Sequence, residues 1–161
     1  PPGLTRAQAQ HLAARAWKEG SAALPPAARR RAARAQKAGA EMSLTVVTDA
    51  RMRKLNREYR GKDKTTDVLS FGQTDAAGEP VLQYEGKGIG PREPRLLGDI
   101  FVSAAQVRRQ ARAISRPVSQ EFALMIVHGT LHLLGFDHET LAQENRMFSL
   151  QHDILAREGY F

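Results

Sequence analysis

The chain has no cysteine, one tryptophan and only 6% aromatic residues among its 161. Without thiols, disulfides and thiolate metal sites are both excluded, which fits a reducing compartment. Long apolar runs are missing as well. The longest falls within residues 122–127, far short of the roughly 20 residues a membrane span needs. With no charged-then-apolar leader at the start, the expectation is a cytoplasmic protein with no membrane partner. Acids are scarce in the first quarter. Residues 1–40 carry eight Lys/Arg against the single acid Glu19, whereas residues 41–161 carry sixteen of each sign. The formal charge of +7 therefore sits wholly at the N-terminal end.

What is present is ordinary for a globular chain: 42% hydrophobic and 25% charged residues, in a length that suits one domain with a real core. The expectation is one domain over 1–161, with 1–40 as its basic, Ala/Arg-rich helical N-terminal segment. Two further basic clusters lie at Arg51, Arg53, Lys54, Arg57, Arg60, Lys62 and Lys64 and at Arg108, Arg109, Arg112 and Arg116. Such clusters suit a polyanion, although a charge run by itself is more often a solvated helix face.

Local patterning gives a mixed set of elements. Helices are predicted over 5–19 and 26–40, split by Leu24-Pro25-Pro26. A strand over Ser43–Val47 leads to a helix over about 50–60, with Asp49 as its cap and Met52, Leu55 and Tyr59 at helical spacing. Val68–Phe71 and Leu96–Val102 read as strands, with a loop and a short strand at Val81–Tyr84 between them. A helix over about 103–115 follows, then one from Val118 to Leu134 that is apolar on nearly all sides and must be buried. A last helix runs over about 139–158, with Leu141, Phe148 and Leu155 seven apart. Strands and helices without strict alternation predict an α+β fold rather than a doubly wound one.

The chemistry is concentrated in His128-Gly129-Thr130-Leu131-His132-Leu133-Leu134-Gly135-Phe136-Asp137-His138. Residues four apart share a helix face, so two imidazoles at 128 and 132 can reach one ion. Gly135 can take the positive φ that turns the chain off the helix, and His138 can then swing back as third ligand. The pattern H-x3-H-x2-G-x2-H is the long zinc spacing. Three neutral nitrogens suit one zinc ion, and nickel or copper would bind the same donors, nickel being the expected substitute in a recombinant preparation. Three protein ligands leave a position for water, whose pKa zinc lowers to about 7. A structural zinc would need a fourth ligand, for which Asp137 and His152 are the candidates. Zinc peptidases place a Glu directly after the first histidine as general base. Here that position is Gly129, which removes the proton acceptor of peptide hydrolysis.

Around this motif the sequence resembles the YbeY endoribonucleases of bacteria. The resemblance rests on residues 55–64 (Leu55-Asn56-Arg57-Glu58-Tyr59-Arg60-Gly61-Lys62-Asp63-Lys64), Asp67-Val68-Leu69-Ser70-Phe71, Leu97-Gly98-Asp99-Ile100 and the stretch from Val127 to His138. The blocks stand in family order, and the resemblance runs over about residues 43–158. Thr65 stands where a proline is common, residues 72–95 are long and glycine-rich, and residues 1–10 do not match the family's opening strand. The resemblance implies a single α+β domain with a small mixed sheet flanked by helices, and metal-dependent endonuclease activity on single-stranded RNA. It implies a part in ribosomal RNA maturation at the 3′ end of 16S rRNA and in ribosome quality control, on or near the small ribosomal subunit. It makes His128, His132 and His138 the metal ligands and assigns activity to Arg60. A guanidinium forks onto two phosphate oxygens and stays charged, which suits that role, although an arginine ending a helix needs no function. Asp99 is expected to shape a strand end and Asp137 to orient a ligand histidine. The alternative readings are a non-catalytic ribosome-assembly factor with a structural zinc and, against Gly129, a zinc peptidase. Oligomeric state is not legible.

Overall fold

The two Ala/Arg-rich segments form helices, split at Pro25 as composition predicts. They open a computed structural model that describes residues 3–37, 39–72 and 96–161. Helix α1 (Arg6–Ala23) starts on a capping box: the Thr5 side chain accepts from the Gln8 backbone, and the Gln8 side chain accepts from the Thr5 N–H. It runs past residue 19 because no breaker intervenes before Pro25, which holds Leu24 in extended backbone. Helix α2 (Pro26–Lys37) carries its proline at the first helical position, where the missing N–H costs nothing. Leu12, Ala16 and Trp17 of α1 are buried in one cluster with residues of the later helices.

Among the described residues the sheet has three strands: β1 (Glu41–Val47), β2 (Val68–Gly72) and β3 (Leu96–Ser103), in the order β1-β3-β2. β1 runs parallel to β3 and β2 antiparallel, so the sheet is mixed as expected. The short strand read at Val81–Tyr84 lies outside the described residues. Alternation along β3 sends its side chains to two faces. Ile100 and Val102 enter the main core, whereas Phe101 packs against a smaller cluster of Met52, Leu55 and Leu69. Helix α3 (Asp49–Arg60) supplies Met52 and Leu55 of that smaller cluster, and β2 supplies Leu69.

Thr48, rather than Asp49, caps α3 by accepting from the Arg51 N–H. Asp49 is the first helical residue, and its carboxylate accepts from Ser103 and pairs with Arg109 at 2.7 Å. That contact ties α3 to the end of β3 and to helix α4 (Ala104–Ala113). Helix α5 (Val118–Leu133) is the central one, packed on α1, α4, β2, β3 and helix α6 (Leu141–Arg157). It lies so close to the sheet that a Cβ added at Gly129 would stand 2.8 Å from Ile100 Cγ2 and 3.0 Å from Ser70 Oγ. On α6 the seven-residue series divides. Leu155 is buried with Met147 and Ile154, whereas Phe148 is 39% and Leu141 78% exposed. The helix seats its later turns on the core and leaves its first on the surface. No helix among the described residues is long and apolar enough to cross a membrane.

Candidate metal centre

Helix α5 stops where Gly135 takes φ 88°, in the left-handed region that favours glycine. The Gly135 N–H donates to the His132 carbonyl at 2.9 Å, and the Phe136 N–H to the Leu131 carbonyl at 3.1 Å. Those two bonds make a Schellman turn. The turn brings the Phe136 carbonyl back to α5, where it accepts from His132 Nδ1 at 2.9 Å. A carbonyl only accepts, so His132 Nδ1 carries the hydrogen and Nε2 is a bare lone pair. His128 is fixed the same way from α6: its Nδ1 donates to Gln151 Oε1 at 3.1 Å. The two Nε2 atoms then face each other at 3.0 Å.

Two lone pairs at that distance repel unless a cation stands between them. A proton is a poor candidate at neutral pH. Burial, then the neighbouring His128 and His138, push His132 down to about 4. Burial also lowers His128, against the opposing pull of the Gln151 bond. Asp137 favours the charged form of both rings and does not prevail. Both rings are therefore neutral, the state in which imidazole binds a metal.

His138 completes the group from just beyond the turn. One donor atom from each of the three histidines lies within 4.8 Å of the others. His138 is exposed and the other two are half-buried, so the group opens to solvent on its side. No fourth His, Cys, Asp or Glu joins it among the described residues. The residues present fit a zinc ion: three neutral nitrogens, two of them anchored through the far side of the ring, with a 3.0 Å pair that two bonds of roughly 2.0–2.1 Å can span.

Several expected residues stand elsewhere. Asp137 accepts from the His138 backbone N–H at 2.8 Å rather than from a ligand ring, so it shapes the loop. His152 stacks on Phe161, with ring centroids 6.1 Å apart, outside the trio. Asp99 lies within β3 and not at its end, bonded to the Ser43 hydroxyl on β1. Two residues were not read from the sequence as parts of this site. Gln151 holds His128, and the Phe148 ring stands 5.7 Å from His138 and 6.4 Å from His128. They are three apart, hence on one face of α6. A polar and an aromatic residue at that spacing, in the helix that must pack back on the motif, is the signal that marks them. At Gly129 the close approach of the sheet leaves no room for the carboxylate side chain that a zinc peptidase carries there.

Arg60 is the last residue of α3 and is exposed. No described contact joins it to the histidines. Its neighbour Tyr59 packs on Phe71 of β2 at 4.8 Å, which anchors the end of α3 to the sheet. Within 51–64 the two acids are already engaged: Asp63 takes Arg53 through two bonds of 2.7 and 2.8 Å and lies 3.6 Å from Arg57, and Glu58 lies 3.7 Å from Lys54. Arg51, Arg60, Lys62 and Lys64 form no ion pair with a described residue, and neither do the five cations of α2.

Fold and site together define a small α+β protein built around an open three-histidine centre that lacks the peptidase base. A family model described as Endoribonuclease YbeY matches residues 7–159. A protein named Endoribonuclease YbeY from Geobacillus kaustophilus is 46% identical over 121 residues, covering 75% of this chain and 74% of that one. Its namesake from Bacillus subtilis is 40% identical over 124 residues, covering 74% and 73%. A solution structure from Thermotoga maritima aligns over 81% of this chain and 80% of that one at 20% identity, with a TM-score of 0.44. The chain belongs to the YbeY family.

Proposed function

We propose that the chain is a metal-dependent endoribonuclease that cuts single-stranded RNA. His128, His132 and His138 hold one zinc ion, and Arg60 holds the phosphate. The small ribosomal subunit is its partner, maturation of the 3′ end of 16S rRNA and ribosome quality control its setting, and the cytoplasm its place. The relatives' name supports the activity class. The observation that carries the reading is the pair of bare Nε2 atoms 3.0 Å apart, with glycine where a peptidase would carry its base.

Zinc bound at such a site supplies Lewis acidity, polarising a phosphoryl oxygen and lowering the pKa of water to about 7. The chain does the rest by positioning. Gln151 and the Phe136 carbonyl keep two donor rings from rotating away. Arg60 offers a fork to two phosphate oxygens, where it stabilises charge that grows as the phosphorus is attacked. The unpaired cations of 51–64 and 29–37 hold the flanking backbone, a contact that weakens with salt.

The test is cleavage of a single-stranded RNA at fixed salt by His132→Ala and Arg60→Ala, with metal analysis before and after chelation. Both variants fold and cut poorly, and the wild-type protein loses activity when its metal is removed. Full activity in both variants would end this reading. Loss of fold on removing the histidine or the metal would favour an assembly factor braced by zinc.

A further inference from the structure

A hollow of about 250 Å³ lies where α2 and α6 meet the turn after α5. Arg31 of α2 and Arg146 of α6 line it, together with Gly135, Phe136 and Asp137 of the turn. Arg31 Nε is buried and has no hydrogen-bond partner among the described residues. A buried donor left without an acceptor is costly, so the side chain gains by turning its fork to an acceptor in the hollow. Arg146 is held ready: its guanidinium donates to the Ala23 carbonyl and lies 5.1 Å over the Phe136 ring. Most of its donors remain for a ligand. Asp137 is the one acid in the wall. It takes the His138 N–H and forms no ion pair with a described residue, so two guanidiniums face one carboxylate.

The turn is shared with the metal centre. Phe136 gives its carbonyl to His132 and its ring to Arg146, and Asp137 directly precedes His138. Beyond the hollow, Arg30, Arg34 and Lys37 are exposed on one face of α2, at i, i+4 and i+7. The hollow and the histidines therefore share one turn, and the exposed cations of α2 lie on the helix that lines the hollow.

We propose that this hollow is a phosphate subsite for the RNA backbone, in which Arg31 and Arg146 fork onto one phosphodiester beside the group at the metal centre. The assignment rests on the endoribonuclease reading and adds where the substrate is gripped. Guanidinium forks match phosphate oxygens, and two of them line this hollow against a single carboxylate. Holding a fixed neighbour also sets which bond lies over the histidines.

The test uses the full chain loaded with zinc. Binding of a single-stranded RNA oligonucleotide is measured by fluorescence anisotropy across a salt series, for Arg31→Gln, Arg146→Gln, the double variant and Arg31→Lys. Each Gln variant should bind on the order of tenfold more weakly at fixed salt. The double variant should show a log-affinity against log-salt slope shallower by about 0.7, the value for one phosphate on a single strand. Zinc content and thermal midpoint serve as controls on fold, and Arg31→Lys should restore the slope while recovering only part of the affinity. If the Arg146 variants misfold, Arg31→Gln carries the test alone, because it lies on the partly exposed side of α2. A folded Arg31→Gln protein with wild-type affinity and slope overturns the subsite while leaving the nuclease reading intact. A wild-type protein that neither binds nor cuts RNA overturns both.

Discussion

Of the four helices that end on left-handed glycines among the described residues, α5 and α3 have ends that differ most usefully. After α5, Gly135 at φ 88° opens a turn whose backbone reaches back to grip His132. After α3, Gly61 at φ 66° closes the helix by donating to Arg57 and Asn56 carbonyls, and a Cβ there would meet nothing within 4 Å. The first end lies between the buried Leu134 and Phe136 and fixes a donor atom; the second is exposed throughout, and Arg60 there forms no ion pair with a described residue. A metal selects for donors already in place, because each ring that must be ordered on binding subtracts from affinity. A phosphate is drawn from a distance by charge, and an arginine that adjusts on contact loses little. Under the proposed roles, the fixed donor stands where coordination would need it and the unpaired arginine where capture would.

Substitution at either end separates the two roles, and the largest effect belongs to the first. His132→Ala removes one lone pair of the 3.0 Å couple, and zinc content and RNA cleavage should both fall to background while helical content is kept. Zinc retained at one ion per chain with cleavage intact would dissolve the contrast altogether. Arg60→Ala should lower kcat/KM on RNA by on the order of 100-fold without changing zinc affinity. Arg60→Lys should recover part of that, since it keeps the charge and loses the fork. A fall in zinc affinity at position 60 would show that the exposed end is tied to the metal after all. Gln151→Leu should weaken zinc binding about 10- to 100-fold, read by competition with a chromophoric chelator, because it leaves the His128 Nδ1 hydrogen without an acceptor.

What was legible in the sequence followed chain-local rules. His128 and His132 share a face because they are four apart, and Gly135 marks the turn because glycine at that place ends helices. The buried helix and the three strands were legible from periodicity for the same reason, whereas the mixed pairing of the sheet came from the family resemblance. Gln151 and Arg146 were not, because α6 brings them to the motif by packing, and no spacing rule links residues 23 apart. Asp49 was misread as a cap because its carboxylate is taken by Ser103 and Arg109, more than fifty residues on, while Thr48 beside it has the extended backbone a cap requires. The family blocks begin near residue 43, yet the family model reaches back to residue 7. Helix α1 carries no motif; it is held by the small apolar face of Ala9, Leu12, Ala16 and Trp17, which resembles many other helices in sequence.

The smallest effect tests the contrast most directly. Gly135→Ala and Gly61→Ala force the same change, a Cβ onto a left-handed residue, and each should cost roughly 1–2 kcal/mol of stability by denaturant unfolding. Their consequences for zinc should differ. At Gly135 the strain is relieved by moving the turn, which carries the Phe136 carbonyl off His132 Nδ1 and lets that ring rotate, so zinc affinity should drop several-fold. At Gly61 nothing lies in the way of the added methyl, and the strain is relieved into solvent with zinc affinity unchanged. Equal stability losses with equal zinc affinities would mean that the carbonyl does not set the ring. The donor geometry would then come from burial of α5 alone, and the two helix ends would differ in exposure but not in purpose.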